Sequence, residues 1–315
     1  MKRYTTMRNI SFVFLNYGPP NLLESAIQSF LLQHPNATPT TQLIIVDNYT
    51  SDENRSALKS IVNKHPHISI HLIFNSCNIG YGAGNNIGLK FSFDTLKSDL
   101  TFVLNTDILF EKFSSDTFFE TITPEPMLYT FNVIENGTNI SYNSFSKHTF
   151  RSKPSDIRAK NSYPSGCCWG MNRSMWDVSN GFVEDYFLYF EELEFIYRYR
   201  KQSKKFPPLT KIEKVTINHS QGGTTGISRD VRSRSLTSEF WSARSRIMFA
   251  KNHTAMLLPT AIAYNILLAV HRLAKKSPRH ANTILRATFS ALFNKSTSAP
   301  QNTTNIESPI IRNLP

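Results

Sequence analysis

Residues 68 to 88 have the sequence ISIHLIFNSCNIGYGAGNNIG, an apolar run that passes directly into a stretch rich in glycine and asparagine. The apolar run is typical of a buried strand, and the stretch after it resembles a loop that binds a dinucleotide pyrophosphate. However, its glycines stand at positions 80, 82, 84 and 88, which is not the G-x-G-x-x-G spacing. The stretch also follows the third predicted strand, whereas a dinucleotide loop follows the first. The sequence therefore argues against a dinucleotide site.

On both sides of this stretch, short apolar runs alternate with amphipathic helical patterns. The runs cover residues 10–15, 42–47, 70–74 and 100–105. The first helix repeats apolar residues at three- and four-residue spacing, from Leu22 to Leu31. Near-continuous apolar strands separated by such helices predict an α/β fold, with a mostly parallel sheet covered by helices on both faces.

Polar side chains follow each predicted strand. They are Asn16 and Tyr17, Asp47 and Asn48, Asn75, and Asn105, Thr106 and Asp107. Ligands of parallel sheets bind beyond the carboxyl ends of the strands, so these residues predict a ligand site at one edge. An acid that ends a strand suits a divalent cation shared with a diphosphate, which favours Asp107 as a metal ligand. The alternative for Asp107, as for Asp47, is that the carboxylate only caps a turn or helix.

The overall composition limits the classes of partner and compartment. The 315 residues include 35 Lys and Arg against 23 Asp and Glu, which gives a net charge of +12. Such an excess suits a nucleic acid, an anionic membrane surface or a phosphorylated substrate. The three cysteines lack C-x-x-C spacing, and the apolar run near the N-terminus is too short for a signal peptide. We therefore expect a reducing compartment and no export.

The second half of the chain has a different pattern. Residues 136 to 162 predict a turn at Asn136-Gly137 followed by a long mobile loop. Basic helices are predicted over residues 228–251, 255–275 and 279–295, and a disordered tail over 296–315. The uncharged run AMLLPTAIAYNILLAV has sixteen residues, fewer than the roughly 20 that span a bilayer. The basic helices are either a solvated face or, as we favour, a surface for anionic lipid.

Six motifs occur in the order found in family 2 glycosyltransferases of the GT-A fold. They are the strand ending in Asn16-Tyr17, IIVDNYTSD, NIGYGAGNNIG, VLNTD, PSGCCWGMNRSMWDVSNGFVEDYFLYFEELEF and INHSQGG. The chain resembles this family over residues 10 to 223, and RSRIMFAKN extends the match into a bacterial subgroup similar to rhamnosyltransferases. The resemblance implies a Rossmann-like GT-A domain at 8–227, with a nucleotide-sugar half (8–110) and an acceptor half (111–227). A basic helical extension (228–295) and the tail follow.

The resemblance also implies the residues of a nucleotide-sugar site. Asp47 is expected to contact the base or ribose, in a pocket with Asn16, Tyr17 and Asn48. The glycine-rich stretch would bring Asn78, Gly80 and Gly84 close to the nucleotide, with Asn86 as a hydrogen-bond donor. Asn105 and Asp107 replace the usual Asp-x-Asp, so a divalent cation, Mg²⁺ or Mn²⁺, is expected on Asp107. His219 either completes the metal shell or contacts the diphosphate, or it is a histidine hydrogen-bonded at a strand end.

The acceptor side follows from the same resemblance. Gly166 and Trp169 match a small-residue stretch that lines it. In FLYFEELEF, Glu192 occupies the second place of the acidic pair whose carboxylate takes the proton from the acceptor hydroxyl, and Glu191 remains possible. Neighbouring aromatic side chains are expected to raise the pKa of this base. Glu194 is expected to form a surface ion pair with Arg198 at i,i+4.

The expected function is an inverting transfer of a sugar, from dTDP-rhamnose or a UDP-hexose, to a hydroxyl of a lipid-linked glycan in bacterial O-antigen or capsule synthesis. The enzyme is expected to be cytoplasmic and peripheral on the inner face of the membrane. A nucleotidyltransferase is a rival, but it needs a Gly-rich basic loop after the first strand, where NYGPP stands. A basic nucleic-acid-binding protein is the second rival, distinguished by a steep salt dependence of polynucleotide binding. We expect no nucleic-acid partner.

Overall fold

The computed structural model describes residues 9–34, 41–114, 120–159, 161–220 and 235–293. Its strands are β1 (Ile10–Asn16), β2 (Thr41–Asp47), β3 (Ser69–Phe74), β4 (Leu100–Leu104), β5 (Ile108–Lys112), β6 (Leu128–Glu135), β7 (Thr138–Asn139), β8 (Tyr142–Ser146), β9 (Arg151–Ser155), β10 (Ser162–Pro164), β11 (Cys168–Asn172) and β12 (Leu209–His219). Its α-helices are α1 (Asn21–Gln33), α2 (Asp52–Lys64), α3 (Tyr81–Lys90), α4 (Arg173–Ser179), α5 (Glu191–Ser203), α6 (Leu236–His253), α7 (Leu258–Ala274) and α8 (Pro278–Phe293).

The central sheet has the strand order β3-β2-β1-β4-β11-β6-β12-β5. Its first four strands are parallel, and the register pairs Asn16 with Asp47 and Asp47 with Phe74. Their carboxyl ends therefore meet at one edge, as the sequence predicted. The other half is mixed, because β11 runs antiparallel to both β4 and β6 while β12 runs parallel to β6.

Hydrophobic layers cover both faces of this sheet. Along β1, Phe12 and Phe14 belong to one core cluster, and Val13 between them belongs to the other. Successive side chains of a strand point to opposite faces, so a strand with two buried faces has no polar alternation. Burying one such side chain contributes roughly 1.5–3 kcal/mol. The near-continuous apolar runs therefore predicted the sheet correctly.

Residues 136 to 162 are not the long mobile loop that their polar composition predicted. Apart from residue 160, which is outside the described residues, they continue from the β6–β7 turn into the strands of an antiparallel sheet, β10-β8-β9. The turn itself is confirmed, since Asn136 and Gly137 have φ of 49° and 74°. A few buried aromatic side chains, including Phe145 and Phe150, fix the segment to the second core cluster. These aromatic residues are widely spaced in a polar stretch, so the sequence pattern did not indicate the strands.

The glycines of α3 serve helix–strand packing. A Cβ on Gly84 would lie 2.5 Å from Leu15 Cδ1, and one on Gly88 would lie 2.3 Å from Val13 Cγ1. The absence of side chains at these positions lets α3 lie directly on β1. The expectation that Gly84 brings the backbone close to a nucleotide is therefore wrong. Gly80 alone in this stretch has a positive φ, 89°, at the start of the helix.

The C-terminal helices are packed into the rest of the molecule. Phe249 of α6 contacts Phe145, Phe190 and Tyr197, with ring centroids 4.9–5.6 Å apart. Small residues of α6, α7 and α8, such as Ala243 and Ala287, form a third cluster that lets these helices approach closely. The three helices correspond to the predicted segments, but the first begins at Leu236 and not at residue 228. The proposed domain boundary at 227/228 lies outside the described residues, as do the predicted tail at 296–315 and residues 221–234.

Several basic residues of the extension are buried, contrary to the prediction of a basic outer face. Arg244 and Arg246 are 2% and 6% exposed. Arg272 forms a buried ion pair with Glu239, at 2.6 Å from Nη2 to Oε1. The reason is that α6 lies between the core and the two last helices. Its cations are therefore surrounded by protein on several sides. Among the described residues of the extension, the Lys and Arg side chains that remain exposed are Lys251, Lys275, Lys276, Arg279 and Arg286.

Large apolar side chains are exposed on the two last helices, and we call this set the apolar helix surface. It comprises Ile266, Leu267, Val270, Leu273, Leu285, Phe289 and Phe293. The helical segment 255–274 has 20 residues, a mean hydropathy of 1.4 and only 22% burial. By length and composition alone this segment is long and apolar enough to cross a membrane. The prediction that it is too short, which counted only the sixteen uncharged residues, is therefore corrected.

Candidate active site

Two adjoining cavities lie at the carboxyl edge of the parallel strands. The smaller, of about 350 Å³, is lined by polar and aromatic residues that include Tyr17, Asn48, Asn78, Gly80, Thr106 and Trp241. The larger, of about 440 Å³, is lined by Asp107, Glu135, Tyr163, Gly166, Glu191, Glu192, His219 and Arg246, among others. We call them the amide cavity and the acidic cavity. Tyr81, Asn105 and Leu188 line both, so the two form one cleft.

Asn48 organises the floor of the amide cavity. Its Nδ2 donates to Asn78 Oδ1 at 2.9 Å and to the Gly80 carbonyl at 3.1 Å. Its Oδ1 accepts hydrogen bonds from Asn75 Nδ2 and from the Ile79 amide. All four bonds serve the turn that begins α3, so Asn48 positions this turn through a fully used amide.

Gly80 is required at this turn for two reasons. Its φ of 89° is a backbone conformation that residues other than glycine rarely adopt. A Cβ there would also lie 2.5 Å from the Phe187 carbonyl oxygen. The Tyr81 amide donates to the same carbonyl at 2.7 Å. The turn is thereby joined to the segment that leads into Glu191.

Asp47 lies next to the amide cavity but does not line it. Its Oδ2 accepts hydrogen bonds from Arg55 Nε at 3.2 Å and from the Thr50 amide at 3.3 Å, and its side chain is fully buried. Arg55 also donates to the Asn75 carbonyl at 2.7 Å. Asp47 Oδ1 is buried without a hydrogen-bond partner. Contact between Asp47 and a nucleotide stays a prediction. Asn16 Nδ2 donates to the Gly18 carbonyl at 3.2 Å, which supports the loop carrying Tyr17.

Two other sequence-based assignments are wrong. Asn86 forms a two-way bond with the Phe182 backbone, donating to its carbonyl at 2.8 Å and accepting from its amide at 2.9 Å. It also donates to Glu184 Oε1, so its amide is not available to a sugar nucleotide. Trp169 is fully buried in β11, within the second core cluster. Successive side chains of a strand point to opposite faces, so the motif alone did not show whether Trp169 or its neighbour Gly170 faces the cleft.

Asp107, His219 and Glu135 form a chain of contacts in the acidic cavity. His219 Nδ1 lies 2.6 Å from Glu135 Oε2, and its Nε2 lies 3.4 Å from Asp107 Oδ1. Burial lowers the pKa of His219, but its interactions with Asp107 and then with Glu135 outweigh burial and raise that pKa. Glu135 thus fixes the ring so that Nε2 faces Asp107, an arrangement common for metal-binding histidines.

Whether Asp107 and His219 can bind a divalent cation depends on a carboxylate oxygen that is available as a ligand. Asp107 Oδ1 is buried without a well-formed hydrogen bond, although it lies beside His219. In the part of the chain that the structure describes, no three His, Cys, Asp or Glu side chains form a metal-binding group. One carboxylate and one imidazole suit a cation that takes its other ligands from a diphosphate and water. The residues therefore fit a metal shared with a substrate.

Glu191 and Glu192 occupy the first turn of α5 and line the acidic cavity. The two preceding residues, Tyr189 and Phe190, have φ of 68° and 71°, a conformation that costs about 1–3 kcal/mol for each non-glycine residue. This strained turn directs the start of the helix into the cavity. Burial raises the pKa of both carboxyl groups, and for Glu191 the neighbouring charge of Glu192 adds to the effect.

Gly166 makes room for the Glu192 carboxylate. A Cβ at residue 166 would lie 1.9 Å from Glu192 Oε1, so only glycine leaves the carboxylate in this position. The Gly166 carbonyl accepts a hydrogen bond from the Tyr81 hydroxyl at 2.8 Å. Burial and the charges of Glu192 and Glu191 raise the pKa of Tyr81, which keeps its hydroxyl protonated as a donor. Tyr81 thereby links the two cavities.

Several residues near the acidic cavity have a structural role. Cys167 and Cys168 are buried and their thiol pKa values are raised by burial, which agrees with a core-filling role. Glu194 is only 4% exposed and Arg198 is half-buried, so their ion pair, at 3.1 Å, is not the predicted surface pair. Arg198 also donates to the carbonyls of Ser179 and Gly181. This pair fixes α5 to the loop after α4.

The sequence did not single out Tyr81, Glu135 or Arg246, which all line the acidic cavity. Glu135 ends a strand, so the rule applied to the first four strands would have found it. The signal was missed because β6 lies outside the regular strand–helix alternation. Tyr81 stands inside the glycine-rich stretch, where only the glycines and asparagines matched the predicted nucleotide site. Arg246 lies within RSRIMFAKN and within a predicted basic helix, and neither pattern indicated that its side chain lines the cavity.

Comparisons with known proteins identify the class of fold. A comparison with profiles of known families finds no match. The structure is similar to a mannosyltransferase from Pyrobaculum calidifontis solved with GDP-mannose and Mn²⁺, with a TM-score of 0.54 and 12% identity. This match covers 93% of the chain and 89% of that protein. The structure thus has the GT-A glycosyltransferase fold.

Two further relatives support the same class. TarS of S. aureus matches with a TM-score of 0.51 and 12% identity, over 92% of this chain and 44% of TarS. In sequence, the chain is 25% identical over 221 residues to the low-salt glycan biosynthesis hexosyltransferase Agl10 of Haloferax volcanii. That match spans 63% of this chain and 64% of the relative, slightly less than two thirds of its length. The chain is therefore similar to glycosyltransferases in both sequence and fold.

Proposed function

We propose that this protein is an inverting glycosyltransferase that uses a nucleotide-diphosphate sugar. The observation that carries the proposal is the continuous cleft, in which the carboxylates of Asp107 and Glu192 line one cavity and Asn78 and Gly80 line the other. A donor lying across the shared residue Asn105 would have its nucleoside in the amide cavity, its diphosphate beside Asp107 and its sugar in the acidic cavity.

The chemistry assigned to the chain is a single displacement. Glu192 removes the proton from the acceptor hydroxyl as that oxygen attacks C1 of the sugar. The C1–oxygen bond to the diphosphate breaks with its electron pair on the leaving nucleotide, and the configuration at C1 inverts. Glu191, one residue earlier in the chain, lines the same cavity and is the alternative base. The raised pKa of these buried carboxyls makes them stronger bases than an exposed glutamate.

Asp107 and His219 are the residues that would hold a Mg²⁺ or Mn²⁺ ion. Such a cation, when bound, neutralises charge on the departing diphosphate. The chain's own contribution is to hold the two ligands in place, with Glu135 orienting His219. The complex of the Pyrobaculum mannosyltransferase with GDP-mannose and Mn²⁺ supports this proposal.

The donor class rests on the motifs and on the relatives. The motif RSRIMFAKN favours dTDP-rhamnose, whereas the hexosyltransferase relative favours a hexose such as that of a UDP-hexose. Exposed Tyr17, at the rim of the amide cavity, offers a ring face on which a nucleotide base can stack. We assign the division of the chain at 8–227, 228–295 and 296–315 to a catalytic domain, a helical extension and a tail.

The test of this function is a thermal-shift screen with UDP-, GDP- and dTDP-sugars, each with and without Mn²⁺. A glycosyltransferase is stabilised by its nucleotide sugar, because a ligand that binds only the native state raises the melting temperature. The expected result is a shift with one nucleotide series that is larger when Mn²⁺ is present. If none of the sugars shifts the melting temperature while polynucleotide does, the proposal is wrong.

The acceptor is proposed to be a lipid-linked glycan of a bacterial surface polysaccharide, such as O-antigen or capsule. The protein would work on the cytoplasmic face of the membrane, with the apolar helix surface in the lipid interface. Leu267 and Phe289 are 68% and 65% exposed, and solvent is a poor environment for such side chains. Exposed Lys275, Lys276 and Arg279 at the α7–α8 junction suit anionic headgroups.

Vesicle co-sedimentation tests this location. We expect binding to vesicles of phosphatidylglycerol and phosphatidylcholine, weakened by high salt and by replacing Leu267 and Phe289 with Ser. Retention after alkaline extraction would instead show that the segment 255–274 spans the bilayer. Equal recovery of the wild type and the double variant in the supernatant would contradict membrane binding through these helices.

A further inference from the structure

Arg246 is a buried cation that lines the acidic cavity and has no use in the reaction described above. Its guanidinium donates to Asn265 Oδ1 and, at 3.4 Å, to Ser242 Oγ, both neutral groups. Its Nε is buried with no hydrogen-bond partner. Among the described residues, no carboxylate lies within ion-pair distance of it. A buried charge without a counter-ion is costly, so its presence beside a cavity needs an explanation.

Two other arginines of the same region have carboxylate partners. Arg272 pairs with Glu239, and Arg198 pairs with Glu194. Burial lowers the pKa of Arg246 to about 10, so its guanidinium still carries a charge at neutral pH. The charge of Glu239, which lines a small neighbouring cavity together with Arg246, favours the charged guanidinium. However, Glu239 is paired with Arg272. We therefore expect the direct ionic partner of Arg246 to come from a molecule that enters the acidic cavity.

The guanidinium is also held in a fixed orientation. Its Cζ lies 4.4 Å from the centroid of the Tyr264 ring and 5.9 Å from that of Phe190. A stacked guanidinium presents its donors in one plane, the geometry that binds phosphate or carboxylate through two hydrogen bonds. Such a fixed cation selects an oxyanion.

We propose that Arg246 binds an oxyanion of the acceptor, a phosphate or a carboxylate, while the reacting hydroxyl lies at Glu192 in the same cavity. This inference rests on the proposed function and narrows its acceptor to anionic glycans. Tyr264 and Asn265, which contact Arg246, belong to α7, and the exposed Leu267 and Val270 belong to the same helix. Arg246 is therefore about one helix diameter, roughly 10 Å, from the proposed lipid interface. A lipid-linked phosphate entering from the bilayer passes this position.

The test compares three small acceptor analogues, which are glucose 1-phosphate, methyl glucuronoside and neutral methyl glucoside. Their binding is measured by titration calorimetry or NMR in the presence of Mg²⁺ and saturating nucleoside diphosphate, so that the donor site is already filled. The proteins are the wild type, Arg246→Met, Arg246→Lys and Arg244→Met. Arg244 is a matched control, because it is equally buried on α6 and is not among the residues that line the acidic cavity.

We expect the wild type to bind one anionic analogue about tenfold more tightly than methyl glucoside, the size of a charge-assisted hydrogen bond. Preference for glucose 1-phosphate indicates a phosphate, and preference for methyl glucuronoside indicates a carboxylate. Arg246→Met should abolish the preference, Arg246→Lys should keep part of it, and Arg244→Met should keep it all.

The outcomes separate this inference from the proposed function. If the wild type binds nucleoside diphosphate but shows no preference among the three analogues, the oxyanion site is wrong and the transferase proposal stands. A preference that persists in Arg246→Met also overturns the inference. If no nucleoside diphosphate binds the wild type, the proposed function itself fails. Thermal unfolding of each variant checks that a lost preference does not reflect a lost fold.

Discussion

The two cavities of the cleft are built in different ways. The amide cavity takes its polar lining mainly from the ends of neighbouring parallel strands and from the turn at Gly80, with neutral amides bonded to one another. The acidic cavity takes its charged groups from segments far apart in the chain, including Asp107, Glu135, Glu192 and Arg246. The first is a preformed surface, and the second is a collection of buried and half-buried charges.

This difference in construction indicates that the amide cavity serves binding and that the acidic cavity carries the reacting groups. A saturated network such as that of Asn48 is rigid, so it supports recognition by shape and backbone groups. Buried carboxylates are energetically unfavourable and are retained where a reaction needs them. Substitutions of Glu191 and Glu192 should therefore alter turnover, substitution of Asp107 should alter donor affinity, and substitutions that support the helices should alter stability. The following predictions test that separation, in order of decreasing effect on turnover.

The largest effect is expected for Glu192→Gln. Removing a general base should lower kcat by roughly 10²- to 10⁴-fold with donor binding unchanged. The measurement is single-turnover sugar transfer together with calorimetric titration of the donor nucleotide. Glu191→Gln is the comparison, and a larger loss there would make Glu191 the base. Wild-type turnover in both variants would remove these carboxylates from the mechanism.

A smaller loss is expected for Gly166→Ala. The added methyl group would occupy the position of Glu192 Oε1, and a displacement of about 1 Å costs up to about 10²-fold in rate. The carboxylate is the flexible end of its side chain, so the fold should survive with an unchanged melting temperature. A shorter Glu192→Asp arm should reduce the damage done by Gly166→Ala. Strictly additive losses in the double variant would mean that the two residues do not interact.

Asp107→Asn should mainly affect donor affinity. We expect about a tenfold weaker binding of the nucleotide sugar in Mg²⁺, equivalent to about 1.4 kcal/mol, and little difference in EDTA. Calorimetry of wild type and variant in both conditions measures this. The EDTA arm is the control, because it removes the cation without altering the cavity. Equal affinity in all four titrations would exclude a metal on Asp107.

The raised pKa values of Glu191 and Glu192 predict opposite pH effects on rate and stability. Turnover should rise as pH increases through the raised pKa, because the base acts in its ionised form. Stability should fall over the same window, which begins at the ordinary glutamate pKa, because the folded state retains protons that the unfolded chain releases. Glu192→Gln should therefore melt at a higher temperature than the wild type at pH 8, with a smaller difference below pH 4. A lower melting temperature at both values would contradict the burial of this carboxylate.

The smallest effect on turnover is expected for Glu194→Gln, within about twofold, since Glu194 does not line the cleft. Stability should fall by about 1–3 kcal/mol, because Arg198 is left without its carboxylate. Chemical denaturation measures this, with Asp177→Asn as the control. Asp177 pairs with Arg173 at the same i,i+4 spacing but is half exposed, so its loss should cost less than about 1 kcal/mol. Equal losses in both variants would show that burial does not decide the strength of these pairs.

The sequence by itself determined the parallel half of the sheet and the edge at which the cleft lies. Apolar runs with both faces buried and amphipathic helices between them fix the strands, and parallel pairing brings their carboxyl ends together. Asn48 and Asn105 were therefore predicted from local pattern, whereas Asn78 and Gly80 were predicted from the family motif NIGYGAGNNIG. Glu191 and Glu192 were found from the family motif, because an acidic pair between aromatic residues is a distinctive segment.

Only the tertiary structure decided which of these side chains are free to act. Asn86 and Trp169 have residue types suited to binding, but one is bonded to a backbone and the other is in the core. Conversely, Glu135 and Arg246 are brought to the acidic cavity by strand order and by the packing of α6. Side-chain patterns report which face of an element is buried, whereas the partner of a buried polar group depends on contacts between distant segments. That dependence is why the acidic cavity could not be assembled from the sequence alone.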